Sequence, residues 1–247
     1  MAGLIAGASY PFRALAVLTH TPSLWGYVVV PILINVAAGT VLYLGLLLAG
    51  LRGIDALVAG LPAWAAVFGV LLRVLLVVGL LIATGFVLVR FGVVLGAPWY
   101  AKLSERLEQL RTGQALPDAD SGLGSAARDL GRALLYEAKK LLLVVVVGGP
   151  LLLLNLVPVV GTVAAGVGGV ALGATIACLD FLDAPLERRR LRFRHKLGVV
   201  RRSLPASAGF GLVCLGLVSI PFVNLLSIPL CVAAGTLFYC DRIGPDL

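Results

Sequence analysis

Apolar residues fill this chain in long blocks, and the polar positions between the blocks set its organisation. Trp25 to Leu51 carries no charged residue, which predicts a first spanning helix with room to tilt. Pro31 near its start removes one backbone donor and should loosen the first turns. Arg52-Gly53-Ile54-Asp55 reads as a turn on the far side. A second spanning helix is predicted from Pro62 to about Leu95, with Gly96-Ala97-Pro98 breaking it. Ahead of both, Leu4–Ser23 mixes Tyr10, Phe12 and Arg13 with Leu15, Val17 and Leu18. That mixture predicts an interfacial helix interrupted at Pro11, entering the membrane at Trp25 and Tyr27. Met1–Ser9 lacks the basic start of a cleavable signal.

Trp99–Lys140 is the main polar excursion. Leu103, Leu107 and Leu110 mark one helix face and Leu130 and Leu134 another, around a Gly/Asp/Ser/Pro-rich turn at Gly113–Ser125. Two apolar hairpins with broken tips follow. The first runs Leu141 to Leu179 around Asn155-Leu156-Val157-Pro158, and its return arm is long enough to span. The second runs Ala206 to Cys240 around Ile220-Pro221-Phe222-Val223-Asn224. Ala206–Ile220 holds fifteen uncharged residues, a helix of roughly 22 Å against a hydrocarbon core of about 30 Å. An arm so short, ended by Pro and Asn, predicts a re-entrant segment, and irregular backbone at membrane depth needs protein or water beside it. A shift of 69 residues aligns Asn155 with Asn224 and Val163-Ala164-Ala165-Gly166 with Val232-Ala233-Ala234-Gly235, but Val36-Ala37-Ala38-Gly39 shows how easily that tetrapeptide recurs here.

Composition agrees with the pattern: 60% hydrophobic and 13% charged residues describe an integral membrane protein. The net charge of +8 is concentrated. Trp99–Lys140 and Asp180–Pro205 hold fifteen of the twenty basic residues, which puts both loops and the N-terminus on the cytoplasmic side of the inner membrane. Both hairpins then begin and end inside. Arg188, Arg189, Arg190, Arg192 and Arg194 fall in a segment where Phe193, Leu197, Val200 and Leu204 recur at helical spacing, ended by Pro205. An amphipathic surface helix facing anionic lipid explains this cluster better than nucleic-acid binding.

Candidate chemistry is sparse. Cys178, Cys214, Cys231 and Cys240 have no CxxC spacing, and His20 and His195 have no ligand-like neighbours, so neither a metal site nor a cofactor is expected. No nucleophile–base pair or paired acids at depth suggests a reaction, so no catalytic residue is assigned. Asp180 and Asp183 read as caps or partners of nearby arginines. Arg73 and Arg90 are seventeen residues apart, roughly 25 Å of helix, so both can snorkel toward opposite interfaces. Anion coordination by Arg90 is the rival reading.

Ser9-Tyr10-Pro11-Phe12-Arg13-Ala14-Leu15, Pro22-Ser23-Leu24-Trp25-Gly26-Tyr27, Pro31-Ile32-Leu33-Ile34-Asn35, Gly96-Ala97-Pro98, Leu182-Asp183-Ala184-Pro185-Leu186-Glu187-Arg188-Arg189 and Ile220-Pro221-Phe222-Val223-Asn224-Leu225-Leu226 are collinear over nearly the whole chain. In that order they resemble the CysZ sulfate permeases and the etoposide-induced protein 2.4 relatives. The resemblance implies two long tilted spanning helices, two hemi-penetrating hairpins, a homo-oligomer and a role in sulfate uptake. Such permeases carry a Gly-Leu-Arg-type turn that holds sulfate at the start of the first spanning helix. Here that stretch is Pro22-Ser23-Leu24-Trp25-Gly26, without an arginine. Losing a bidentate charged partner weakens the hold on a dianion.

The predicted fold class is an all-α integral membrane protein in one domain. It comprises an interfacial helix (1–24), two long transmembrane helices (25–98), a cytoplasmic helical pair (99–140), hairpin 1 (141–179), a basic loop (180–205) and hairpin 2 (206–240). The expected function is permeation of sulfate or another small anion, with Ser23, Leu24, Arg90, Asn155 and Asn224 as candidate contacts. At the hairpin tips the asparagines have a second reading, as caps of free backbone groups. The alternative function is a membrane-organising or assembly protein acting on lipid through its hairpins and basic loop.

Overall fold

The computed structural model describes residues 2–60, 62, 66–113, 123–220 and 223–246, with backbone alone at 2, 66, 86, 88–94, 123–130 and 246. Among the described residues the chain is helical throughout, as α1 (Ala2–Ala8), α2 (Tyr10–His20), α3 (Trp25–Val58), α4 (Ala66–Thr112), α5 (Leu123–Leu154), α6 (Val160–Phe181), α7 (Asp183–Arg188), α8 (Phe193–Arg202), α9 (Ala206–Ser219) and α10 (Val223–Arg242). Segments Pro22–Val58, Val67–Gly85, Val160–Phe181 and Val223–Arg242 are each long and apolar enough to cross a membrane. The protein is an all-α integral membrane protein.

α10 is the central helix. Of its apolar window 72% is buried inside the protein, against 11% for α3 and for the first part of α4. An apolar helix wrapped by protein forms the core, and one left uncovered faces lipid. Tyr10 of α2 meets Phe238 of α10 edge-on at 5.0 Å, and Phe210 of α9 stacks on the same ring at 5.3 Å. Glycines let the surrounding helices close in. A Cβ on Gly7 would lie 1.8 Å from the Ala206 carbonyl oxygen, and one on Gly209 2.0 Å from that of Leu4, so α1 and α9 cross backbone to backbone.

Several predicted boundaries move. The N-terminal break falls at Ser9, and Pro11 sits in the first turn of α2, where its missing N–H costs nothing. Arg52-Gly53-Ile54-Asp55 continues α3 to Val58, and Asp55 accepts a 2.8 Å bond from Arg73 across the α3–α4 pair. Gly96-Ala97-Pro98 does not break the second helix; α4 starts at Ala66 and runs 47 residues to Thr112. An interior proline costs about 3 kcal/mol. Beyond it Tyr100, Leu103 and Leu107 are fully buried in the core, and the Tyr100 ring lies over Gly96. Burying three large side chains at about 1.5–3 kcal/mol each outweighs the proline. Leu110 and Leu134 are exposed instead of completing the predicted faces.

The polar helix predicted before hairpin 1 and that hairpin's first arm are likewise one helix, α5. α6 starts tight against it: a Cβ on Gly161 would lie 1.9 Å from the Leu154 carbonyl oxygen. In hairpin 2, α9 has 14 residues and α10 has 20, roughly 21 and 30 Å. α8 ends at Arg202, short of Pro205, with Val200 buried, Phe193 and Leu197 half-buried and Leu204 exposed.

Candidate functional site

The turn that opens the first span does not offer the expected cradle. Pro22–Leu24 is a 3-10 turn in which Leu24 N–H donates to the Thr21 carbonyl at 3.0 Å and Trp25 N–H to that of Pro22. The Trp25 indole donates to the Leu18 carbonyl at 2.8 Å, tying the turn to α2. Leu24 is a core residue, while Ser23 is exposed. The two amides beside Ser23 are therefore spent within the turn. The Arg90 side chain lies outside the described residues.

The two hairpin asparagines have opposite surroundings, so the internal alignment does not extend to environment. Asn155 is exposed and lines an apolar groove of about 640 Å³ between α5 and α6, with Gly148, Gly149, Gly166 and Gly169 on its walls. Asn224 is buried in the first turn of α10, and its Nδ2 has no acceptor among the described residues. Its backbone N–H donates to the Ile220 carbonyl at 3.1 Å. An orphaned amide donor in a core costs about 1–3 kcal/mol, so its retention calls for a ligand or another purpose. It also stands at the N-terminus of a twenty-residue helix, where the dipole favours negative charge.

Further along α10, polar groups meet α4. The Thr236 hydroxyl lies 2.8 Å from the Ser104 hydroxyl, both fully buried, and Arg111 bonds Asp241 at 3.0 Å. These two contacts ascend both helices together, so α4 and α10 run parallel. Asn224 sits twelve residues before Thr236, roughly 18 Å away along α10.

Where α7 meets α4 stands a cluster that the sequence did not announce. Glu108 of α4 is 1% exposed and accepts Arg188 at 2.5 Å and Arg189 at 2.8 Å. Arg188 also donates to Ser104 at 2.9 Å, and the Arg189 guanidinium lies 4.5 Å from the centre of the Tyr239 ring. Two guanidiniums against one carboxylate leave one positive charge there. Arg188 and Arg189, expected to face lipid, both reach Glu108, which offers a buried carboxylate with two faces; Arg188 is half-buried and Arg189 still partly exposed. Arg190, Arg192 and Arg194 remain exposed. A signal existed in the sequence, since Glu108 follows Tyr100, Leu103, Ser104 and Leu107 on one helical stripe.

A second cluster fixes the other side of α7. Lys196 of α8 is 1% exposed and donates to Asp183 at 2.6 Å and Glu187 at 2.5 Å, with its ammonium 4.3 Å from the Tyr136 ring centre. Burial pushes the Asp183 carboxyl above its ordinary range, and the hydrogen bond from Lys196 pulls it back. Burial, reinforced by Asp183 and Asp180, raises the Tyr136 phenol, which stays protonated and donates to the Leu179 carbonyl at 3.1 Å.

Comparison with known proteins fits this architecture. The family described as "Sulfate transporter CysZ/Etoposide-induced protein 2.4" matches residues 10–229. A protein of Pectobacterium atrosepticum named "Sulfate transporter CysZ" is 27% identical over 91% of this chain and 81% of its own length. One of the same name from Pseudomonas fluorescens is 29% identical over 99% of this chain and 97% of its own. A third, from Vibrio cholerae, is 25% identical over 89% of this chain and 87% of its own. With the match running from α2 into α10, the chain belongs to the sulfate transporter CysZ/etoposide-induced protein 2.4 family.

Proposed function

We propose that this protein is a permease of the inner membrane for sulfate or a comparably small oxyanion, with the N-terminus and basic segments on the cytoplasmic side. The observation that carries the reading is near full-length similarity to proteins named sulfate transporters. The buried amide of Asn224, without an acceptor among the described residues, supplies a physical means. An anion leaving water must be offered donors at each stage of its passage. Here Asn224 and the N-terminus of α10 offer donors at one end of that helix, and the positively charged Arg188–Glu108–Arg189 group stands near its other end. Ser23, Arg90 and Asn155 stand as secondary contacts in this reading. With no arginine at 22–26 and the amides of Leu24 and Trp25 committed, the anion is held weakly at the first turn, which suits passage better than storage. Both hairpins enter and leave from the cytoplasmic face, as their flanking charges favour.

Uptake of radiolabelled sulfate into vesicles containing the purified protein tests this reading, with thiosulfate, selenate, phosphate and chloride as competitors. Uptake above protein-free vesicles, reduced at least tenfold by Asn224→Leu, is the expected result. Flux no greater than in empty vesicles for every anion tried overturns it.

A further inference from the structure

The engagement of Arg188 and Arg189 by Glu108 leaves a different set of arginines on the surface, and that set has a geometry of its own. α8 and α9 meet at a bend of 106°. With α9 as the inbound arm of an apolar hairpin, α8 then lies nearly along the membrane surface. Its depth is fixed by Lys196, which holds it to Tyr136 and to Asp183, where α6 gives way to α7. That is the level at which the chain leaves the hydrocarbon.

The helical wheel of α8 divides cleanly. Lys196 and Val200 are buried and Phe193 and Leu197 half-buried on one side. On the other side Arg194 and Arg201, seven residues apart, share one line, and His195 and Arg202 share the next. All four are exposed, as is Arg192 at the N-cap. Arg192, Arg194, Arg201 and Arg202 engage no carboxylate among the described residues. Leu204, 55% exposed, stands at the elbow between Arg202 and α9. An internal role does not explain four unneutralised guanidiniums with an exposed leucine beside them.

We propose that the outward face of α8 is a binding surface for anionic phospholipid headgroups, held by Arg192, Arg194, Arg201 and Arg202, with Leu204 entering the acyl boundary. Charge complementarity selects the partner: a leaflet rich in anionic headgroups presents phosphodiesters at the height where α8 lies, and each arginine near such a surface is worth about a five-fold gain in affinity. The guanidinium suits this role because it forks onto two phosphate oxygens. Arg188 and Arg189 take no part, being committed to Glu108. The surface is independent of whether the protein conducts an anion.

The test uses the purified full chain in neutral detergent, titrated with phosphatidylglycerol or phosphatidylcholine, reading retained lipid by native mass spectrometry and the unfolding temperature. Wild type should retain phosphatidylglycerol in preference and gain thermal stability from it. Each of Arg192→Gln, Arg194→Gln, Arg201→Gln and Arg202→Gln should lower that preference about five-fold. The matching Lys substitutions should keep most of it, and all variants should unfold like wild type in phosphatidylcholine. Combining all four Gln substitutions should abolish the preference, and if that variant fails to fold, the pairs Arg192→Gln/Arg194→Gln and Arg201→Gln/Arg202→Gln give the same reading. Equal retention of the two lipids by wild type, or preference unchanged in the Gln variants, overturns the proposal. So does an equal stability gain from inorganic phosphate, which marks a small-ion site, or from a short RNA, which marks another partner.

Discussion

Replacing Glu108 by glutamine strands two guanidiniums. In the native structure the Glu108 side chain is 1% exposed, while Arg188 and Arg189 keep 23% and 36% exposure. Removing one member of a buried ion pair costs about 3–5 kcal/mol, mostly as the penalty of the uncompensated partner. Here the partners are partly wetted and solvent screens their mutual repulsion, so the low end applies, about 3 kcal/mol. For a chain of this size each kcal/mol is worth about 2–4 °C, which predicts a fall in unfolding temperature of about 6–12 °C. The assay is thermal unfolding of the purified protein in detergent, with Arg73→Ala as a control. Arg73 and Asp55 are 46% and 62% exposed, and such a pair is worth less than about 1 kcal/mol. A cycle with Arg188→Ala completes the test, because truncating the arginine should cost less once the carboxylate is gone. If Glu108→Gln falls no further than Arg73→Ala, or if the two substitutions add without coupling, the clasp does not hold α7 to α4.

Lys196→Ala should destabilise by about 2–3 kcal/mol, because it strands Asp183 and Glu187 beside Tyr136; loss of fewer than 3 °C on unfolding would contradict it. Asn224→Leu should separate stability from function: removing an orphaned buried amide leaves thermal stability equal or raised by about 1 kcal/mol, while sulfate uptake falls. Gly7→Val and Gly209→Val should undock α1 from α9 at about 1–3 kcal/mol each, read as faster proteolysis of the N-terminal segment. Asn155→Cys should react with a membrane-permeant maleimide and resist an impermeant one added from outside, and ready labelling by the impermeant reagent would show that hairpin 1 crosses.

The helical class and the apolar segments were legible because uncharged runs such as Trp25–Leu51 leave a bilayer as their only solvent. Helix ends were read less well. Gly96-Ala97-Pro98 carries a local breaking signal, but the burial of Tyr100, Leu103 and Leu107 that overrides it depends on α10, more than a hundred residues away. The arginine cluster shows the same limit. Arg188 and Arg192 look alike within a basic run, and only the arrival of Glu108 from eighty residues upstream turns one inward. Asn155 and Asn224 occupy matching positions in two similar hairpins, yet Asn155 ends on an exposed tip while Asn224 opens the central helix. Local pattern specifies the element, and tertiary packing assigns its surroundings.

The unbroken length of α4 has a mechanical consequence. Its 47 residues make a rod of roughly 70 Å, more than twice the thickness of the hydrocarbon core. Glu108 stands 13 residues beyond Leu95, where the apolar run ends, at the tip of an arm of roughly 20 Å. A tilt of about 9° pivoting at the bilayer surface swings Glu108 by about 3 Å, as far as the bonds that join it to Arg188 and Arg189 are long. Small leaning motions inside the membrane are thereby converted into the making or breaking of one ionic latch outside it.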